Sequence, residues 1–244
     1  MSKKGKQGDN PAGEVLPKAL IFIVAFNAEK TIDDVISRIE LDPAQYDIEI
    51  LVIDDASGDS TFEKALRVGE TQIPYKLTVL KNPVNQGYGG NQKLGYQYAL
   101  GEGHDLVVLL HGDGQYAPEC IETLITPIVK GEADVVFGSR MLKKGEARKG
   151  GMPLYKYIGN KILSGTQNFL LRTRLSEFHS GYRVYSAAAL RKIPFEFNTN
   201  DFHFDTQIII QAAALQLRIR EEPIPTYYGD EICYVDGIKY AWNV

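Results

Sequence analysis

Four short polar runs carry the chemistry this sequence offers, and each directly follows an apolar run of strand length. Phe26-Asn27-Ala28-Glu29 follows residues 19–25, and Asp54-Asp55-Ala56-Ser57 follows 48–53. His111-Gly112-Asp113-Gly114-Gln115 follows 106–110, and Gly138-Ser139-Arg140 follows 134–137. Together they place carboxylates, amides, an imidazole and a guanidinium at strand ends. A nucleotide held at the Asp54-Asp55 edge, with a divalent cation bridging its phosphates to Asp113, uses this set well. Any single run serves equally as a turn or helix cap, because Asp and Ser do that work routinely. Capping does not account for four at once. The Gly-rich stretch Asn85-Gln86-Gly87-Tyr88-Gly89-Gly90-Asn91 is neither a GxGxxG after the first strand nor a GxxxxGK[ST], and no GxSxG is present.

The elements that must position these runs alternate. Strands are predicted at 19–25, 48–53, 77–80, 106–110 and 134–137, and helices at 31–40, 60–66, 89–100 and 118–129. Near-continuous apolar strands separated by helices predict an α/β fold, a mostly parallel sheet with helices on both faces. In such sheets ligands bind outside the carboxyl ends of the strands, where the winding reverses. Residues 1–18 read as a flexible N-terminal tail and 19–244 as a single domain.

Composition narrows the class. With 244 residues, 44% hydrophobic and 24% charged, the chain is neither low-complexity nor collagenous. No apolar run reaches the roughly 18–20 residues of a spanning helix, and two cysteines are too few for a disulfide framework or zinc site. A reducing cytoplasmic setting follows as the expectation. Charge is uneven: between Arg140 and Arg174 nine basic residues face one acid, Glu146, while the whole chain is −4. That asymmetry points to an anionic partner, or to a solvated basic face. Nucleic acid is not expected, since no recognition helix, zinc finger or aromatic platform accompanies the charge.

Val24-Ala25-Phe26-Asn27-Ala28-Glu29, Ile53-Asp54-Asp55-Ala56-Ser57 and His111-Gly112-Asp113-Gly114-Gln115 resemble the opening motifs of family-2 glycosyltransferases of the GT-A fold, a Rossmann-like architecture. Gly138-Ser139-Arg140 and Ser180-Gly181-Tyr182-Arg183-Val184-Tyr185 resemble the branch of dolichyl- and polyprenyl-phosphate mannosyl- and glucosyltransferases. The likeness spans about residues 20–224. It implies that Val24, Phe26, Ile53 and Asp55 form the nucleotide pocket, with Glu29, Gly112 and Arg140 in the same donor-binding set. It implies Mg2+ or Mn2+ held by Asp113 and Gln115, with His111 at the first position of the family's DxD. Asp113, Arg183 and Asp205 are then the catalytic candidates, in an inverting transfer from a nucleoside-diphosphate sugar.

There are two departures from the family pattern. His111 replaces an Asp, and a neutral imidazole suits Mn2+ better than Mg2+; its plain alternative is a packing residue beside the site. The family's basic residue near the end of the catalytic region faces Tyr227-Tyr228-Gly229-Asp230-Glu231, which leaves Lys239, Arg148 and Lys149 as replacements. A hydroxyl acceptor needs a general base, for which Asp205 is the candidate unless it only favours a helix start; a phosphate acceptor is already ionised. Glu177 reads as a partner for a nearby cation. Leu154, Ile158, Ile162 and Phe169 repeat at helical spacing inside the basic segment, as a membrane-facing stripe or a core-packing face. Residues 141–152 read as an acceptor lid. The expected acceptor is a polyprenyl phosphate met by peripheral contact at the cytoplasmic face of the membrane, with oligomerisation open. The alternative is a non-catalytic or hydroxyl-acceptor sugar-nucleotide-binding relative. A nucleotidyltransferase is disfavoured, because Phe26-Asn27-Ala28-Glu29 is not a Gly-rich basic loop. Tyr240-Ala241-Trp242-Asn243-Val244 is apolar and unterminated, so the chain is expected to continue there or to pack that end on the core or a second subunit.

Overall fold

The structure, a computed structural model, describes residues 15–70 and 73–226. The readings at Tyr227 to Glu231, at Lys239, at residues 240–244 and over most of the N-terminal tail lie outside the described residues.

Seven strands form one sheet: β1 (Lys18–Ala25), β2 (Asp47–Asp54), β3 (Lys76–Lys81), β4 (Leu106–His111), β5 (Val135–Ser139), β6 (Arg183–Ser186) and β7 (Ile219–Pro223). Their order is β3-β2-β1-β4-β6-β5-β7. Only β6 is antiparallel, paired with β4 and β5; every other pairing is parallel. The helices are α1 (Ile32–Ser37), α2 (Thr61–Glu70), α3 (Tyr88–Gly101), α4 (Ile121–Val129), α5 (Glu146–Lys149), α6 (Leu154–Leu171), α7 (Ala187–Leu190) and α8 (Phe204–Ala214).

The apolar strands bury both faces, as a parallel sheet requires. Ile21, Ile23, Ile50 and Val52 point to one side, against Val35, Ala65 and Leu124 of α1, α2 and α4. Leu20, Phe22, Leu51 and Ile53 point to the other, against Tyr96, Leu190 and Ile208 of α3, α7 and α8. At Gly95 any side chain would collide with the Phe22 ring, so glycine lets α3 lie directly on β1. β1 sits between β2 and β4, so the winding reverses there, and the ends of β1, β2 and β4 bring their polar runs to one edge.

Two strands escaped the sequence pattern. β6 is four residues long, and β7, Ile-Arg-Glu-Glu-Pro, has no apolar run because it is an edge strand. The helix at 154–171 forms, but the core-packing reading of its apolar stripe does not hold. Leu154, Ile158, Ile162 and Phe169 are exposed, and the residues it buries are Ser164 and Gln167.

Candidate active site

The β1 and β2 ends are laced together. Asn27 and Ala56 both sit at positive φ, 50° and 59°, a conformation costly for residues other than glycine. The Ser57 hydroxyl accepts from Asn27 N at 2.8 Å, the Thr61 hydroxyl accepts from Ala28 N at 2.8 Å, and Asn27 Oδ1 accepts from Gly58 N at 3.2 Å. Of the two adjacent carboxylates, Asp54 is the turn residue: it accepts from Ser57 N at 3.1 Å and pairs with Lys81 at 3.4 Å. Asp55 accepts from Asn82 Nδ2 (2.7 Å), Gln86 N (2.8 Å) and Gly87 N (3.0 Å), and so fixes the Gly-rich loop that opens α3.

The expected nucleotide set divides. Phe26 is exposed at the edge, whereas Val24 and Ile53 belong to the core cluster under α3, because sheet alternation turns them inward. Glu29 accepts from Ser60 N at 3.2 Å while its carbonyl accepts from Lys64 Nζ, so it braces the start of α2. Gly112 continues the sheet through Gly112 N to Val24 O at 2.9 Å, and a Cβ there would stand 3.2 Å from Ala25 and Ile32.

At the β4 end Asp113 is exposed and accepts from Gln115 N at 3.0 Å. Among the described residues no cation pairs with it. His111 sits deeper, edge-on to the rings of Tyr88 and Tyr116 at 5.4 and 5.0 Å. Burial pushes its imidazole below the usual histidine range, against the opposing pull of Asp113 and Asp205. Burial likewise pushes the Tyr116 phenol up to about 12. Among the described residues no three His, Cys, Asp or Glu side chains cluster tightly enough to hold a metal alone. One carboxylate, one amide and one imidazole on a single turn still fit a divalent cation whose remaining positions are filled by phosphate oxygens and water.

The two arginines are buried and engaged with protein groups. Arg183 is fully buried; it donates to the carbonyls of Ser180 (2.9 Å), Asp205 (2.9 Å) and Phe178 (3.2 Å), and its guanidinium lies over the Phe137 ring. It lies beneath the site and clamps three backbone carbonyls together. Arg140, also buried, pairs with Glu177 through Nε at 3.0 Å and through its backbone N–H at 2.8 Å. Burial works to raise the Glu177 pKa, but the charge and hydrogen bonds of Arg140 hold it below the ordinary range. Asn160 of α6 donates to the same carboxylate at 2.8 Å, which ties that helix to the edge of the site.

Asp205, in the first turn of α8, accepts from Tyr88 OH at 3.0 Å and Gln92 Nε2 at 3.1 Å, with Arg183 3.4 Å away. Tyr88 and Gln92 carry no site signal in the sequence. Tyr88 stands inside a glycine-rich run without a nucleotide fingerprint, and its partner Asp205 lies 117 positions away.

Comparison with known proteins shows the family and the fold. The model of the family "Glycosyl transferase family 2" matches residues 20–194. The UDP-N-acetylglucosamine–dolichyl-phosphate N-acetylglucosaminyltransferase of Methanococcus voltae is 30% identical over 220 residues, covering 86% of each chain. The undecaprenyl-phosphate mannosyltransferase of Micrococcus luteus is 28% identical over 209 residues, covering 85% of this chain and 82% of that one. Glucosyl-3-phosphoglycerate synthase from Mycobacterium tuberculosis, crystallised with Mn2+, UDP and phosphoglyceric acid, shares the fold at a TM-score of 0.64 and 18% identity, over 87% of this chain and 72% of that one.

Proposed function

The chain belongs to glycosyl transferase family 2, and from that premise we propose that it moves a sugar from a nucleoside-diphosphate sugar to a polyprenyl phosphate, with inversion and with Mg2+ or Mn2+. Asp113 and Gln115 would hold the cation, which supplies charge neutralisation on the departing nucleoside diphosphate. Relatives whose names include dolichyl and undecaprenyl phosphate support the acceptor class.

The observation that carries the acceptor is α6. Its exposed row of Leu154, Ile158, Ile162 and Phe169, joined by Tyr155 and Leu170, lies within the basic segment. Apolar residues beside lysines and arginines suit the interface of an anionic bilayer. Among the described residues no helix is long and apolar enough to cross a membrane, so we assign α6 a peripheral contact, at the cytoplasmic face. There a lipid phosphate would meet the exposed lysines and arginines of the basic segment, while the Asn160–Glu177 hydrogen bond ties α6 to the site edge. An ionised phosphate attacks without a base, and the structure offers Asp205 little freedom to be one, since both its oxygens are engaged.

The test is transfer from a panel of UDP-, GDP- and dTDP-sugars to polyprenyl phosphate or to the neutral polyprenol. Replacing Arg148 and Lys149 by Gln should weaken phosphate-acceptor use and liposome binding about tenfold or more, at roughly 1 kcal/mol per basic residue, and leave nucleotide binding unchanged. Raised salt should mimic the effect. Arg148 also donates to the Met152 carbonyl, so Lys143→Gln with Lys144→Gln separates charge from loop structure. Preference for the neutral alcohol, or full activity in both double variants, would overturn the reading.

A further inference from the structure

The hydrogen bonds around Tyr88 decide where His111 carries its proton. Asp205 uses one oxygen for Gln92 Nε2, at 3.1 Å and on the Arg183 side, and the other for Tyr88 OH, at 3.0 Å. A carboxylate oxygen only accepts, so the hydroxyl proton of Tyr88 is committed to Asp205. The Tyr88 oxygen then meets His111 Nε2, 3.0 Å away, with lone pairs alone. That contact is a hydrogen bond only when Nε2 bears the ring proton. A neutral imidazole so protonated keeps its lone pair on Nδ1, which has no hydrogen-bond partner among the described residues. Tyr88, Tyr116 and the backbone of Gly181 fix the ring; a Cβ at Gly181 would stand 2.6 Å from Cε1 and Nε2.

We propose that Tyr88 and Asp205 are positioning residues that hold His111 in the Nε2–H tautomer, so that Nδ1 serves as a nitrogen ligand to the cation of Asp113 and Gln115. A carboxylate at position 111 would offer lone pairs in any orientation, whereas an imidazole offers one, and only in one tautomer. The ligand half rests on the metal-dependent reading above; the tautomer half stands apart from it.

The tautomer is read without metal, by NMR of protein labelled with 15N-histidine, the His111 signals being assigned by their loss in His111→Ala. Wild type should show a protonated Nε2 and a bare Nδ1. In Asp205→Asn the amide oxygen faces Gln92 and Arg183 and its NH2 faces Tyr88. Tyr88 then donates to Nε2, and the ring proton moves to Nδ1. Tyr88→Phe should leave a mixture of the two forms. With Mn2+ alone, wild type should show 14N coupling in the electron spin echo, and Asp205→Asn should lose it with a 10–100-fold weaker Mn2+ affinity. In a His111→Asp background, Tyr88→Phe should leave Mn2+ affinity unchanged. A proton on Nδ1 in the wild type, or an unchanged 15N pattern in Asp205→Asn, overturns the tautomer. The expected tautomer with bound Mn2+ but no nitrogen coupling overturns the ligand. Absence of any Mn2+ binding overturns the metal reading above, and with it the ligand role, while the tautomer result stands.

Discussion

Around the ends of β2, β4 and β6, charged side chains are buried: Asp55 is 4% exposed and Arg183 is 0%. Along α6, which the Asn160–Glu177 hydrogen bond joins to that region, apolar side chains are bare: Phe169 is 84% exposed and Leu170 70%. Both regions reverse the ordinary sorting of residues, in opposite senses. In the first, each buried charge is matched by a partner, so the groups are held rigid for a small polar ligand. In the second, no described residue covers the apolar row. Under the proposed function the rigid charges would serve the soluble anionic donor and the bare row the hydrocarbon tail of a lipid acceptor.

The sharpest way to break this contrast is at the exposed carboxylate of Asp113. Asp113→Ala should abolish metal-dependent donor binding and lower turnover about 10^3-fold, the several kcal/mol of charge stabilisation a cation supplies. His111→Ala should instead lose affinity for Mn2+ and recover at high Mn2+. A Mn2+ titration of both variants decides it; wild-type turnover in Asp113→Ala would remove the metal mechanism.

Next in size is the buried Arg140–Glu177 pair, with side chains 8% and 0% exposed. Glu177→Ala removes the carboxylate that balances a buried guanidinium and should cost about 3–5 kcal/mol in urea unfolding. On α6 the same treatment should do the reverse. Changing Ile158, Ile162 and Phe169 to Ser should shift unfolding by no more than about 0.5 kcal/mol yet reduce binding to anionic liposomes about 10–100-fold. Clear destabilisation in that triple variant would show that the row packs on something after all. The smallest effect belongs to a wet ion pair on the same sheet, Asp134 with Arg218, whose side chains are 26% and 57% exposed. Hydrogen bonding to Arg218 holds the Asp134 carboxyl down to about 2 from 3.8. A lowered folded pKa stabilises above the unfolded value, so this contribution is complete above about pH 4 and is lost as pH falls toward 2. Exposure limits it to about 0.2–1 kcal/mol, and Asp134→Asn should flatten only that acid limb of the stability curve.

The same contrast explains what could be read from the sequence. Ile21 to Val24 and Leu106 to Leu110 announce buried parallel strands because both faces are apolar, and the residues after them inherit a place at the site edge. Spacing also showed that α6 has an apolar face, but periodicity gives the face and not what covers it. Arg183 and Arg140 advertised charge; whether a guanidinium meets a ligand or a buried carboxylate depends on partners 22 and 37 positions away. Tyr88 carries no local signature at all, since its role exists only once α3 and α8 have come together.

The lone antiparallel strand has a consequence for how such a protein changes over time. Phe137 of β5 pairs with Arg183 of β6, so the chain leaves the sheet and returns to it on neighbouring strands. Residues 140–182 are therefore a single excursion with adjacent ends, and they contain α5, α6 and the whole basic segment. Doubling the length of such a closed loop costs only about 0.6 kcal/mol. Length and composition can therefore change in the exposed middle of the excursion without altering the pairing of β5 with β6. The exposed middle of the excursion, α5 and the bare face of α6, can thus vary while its two ends, which hold Arg140, Glu177 and Gly181, keep their places against the sheet.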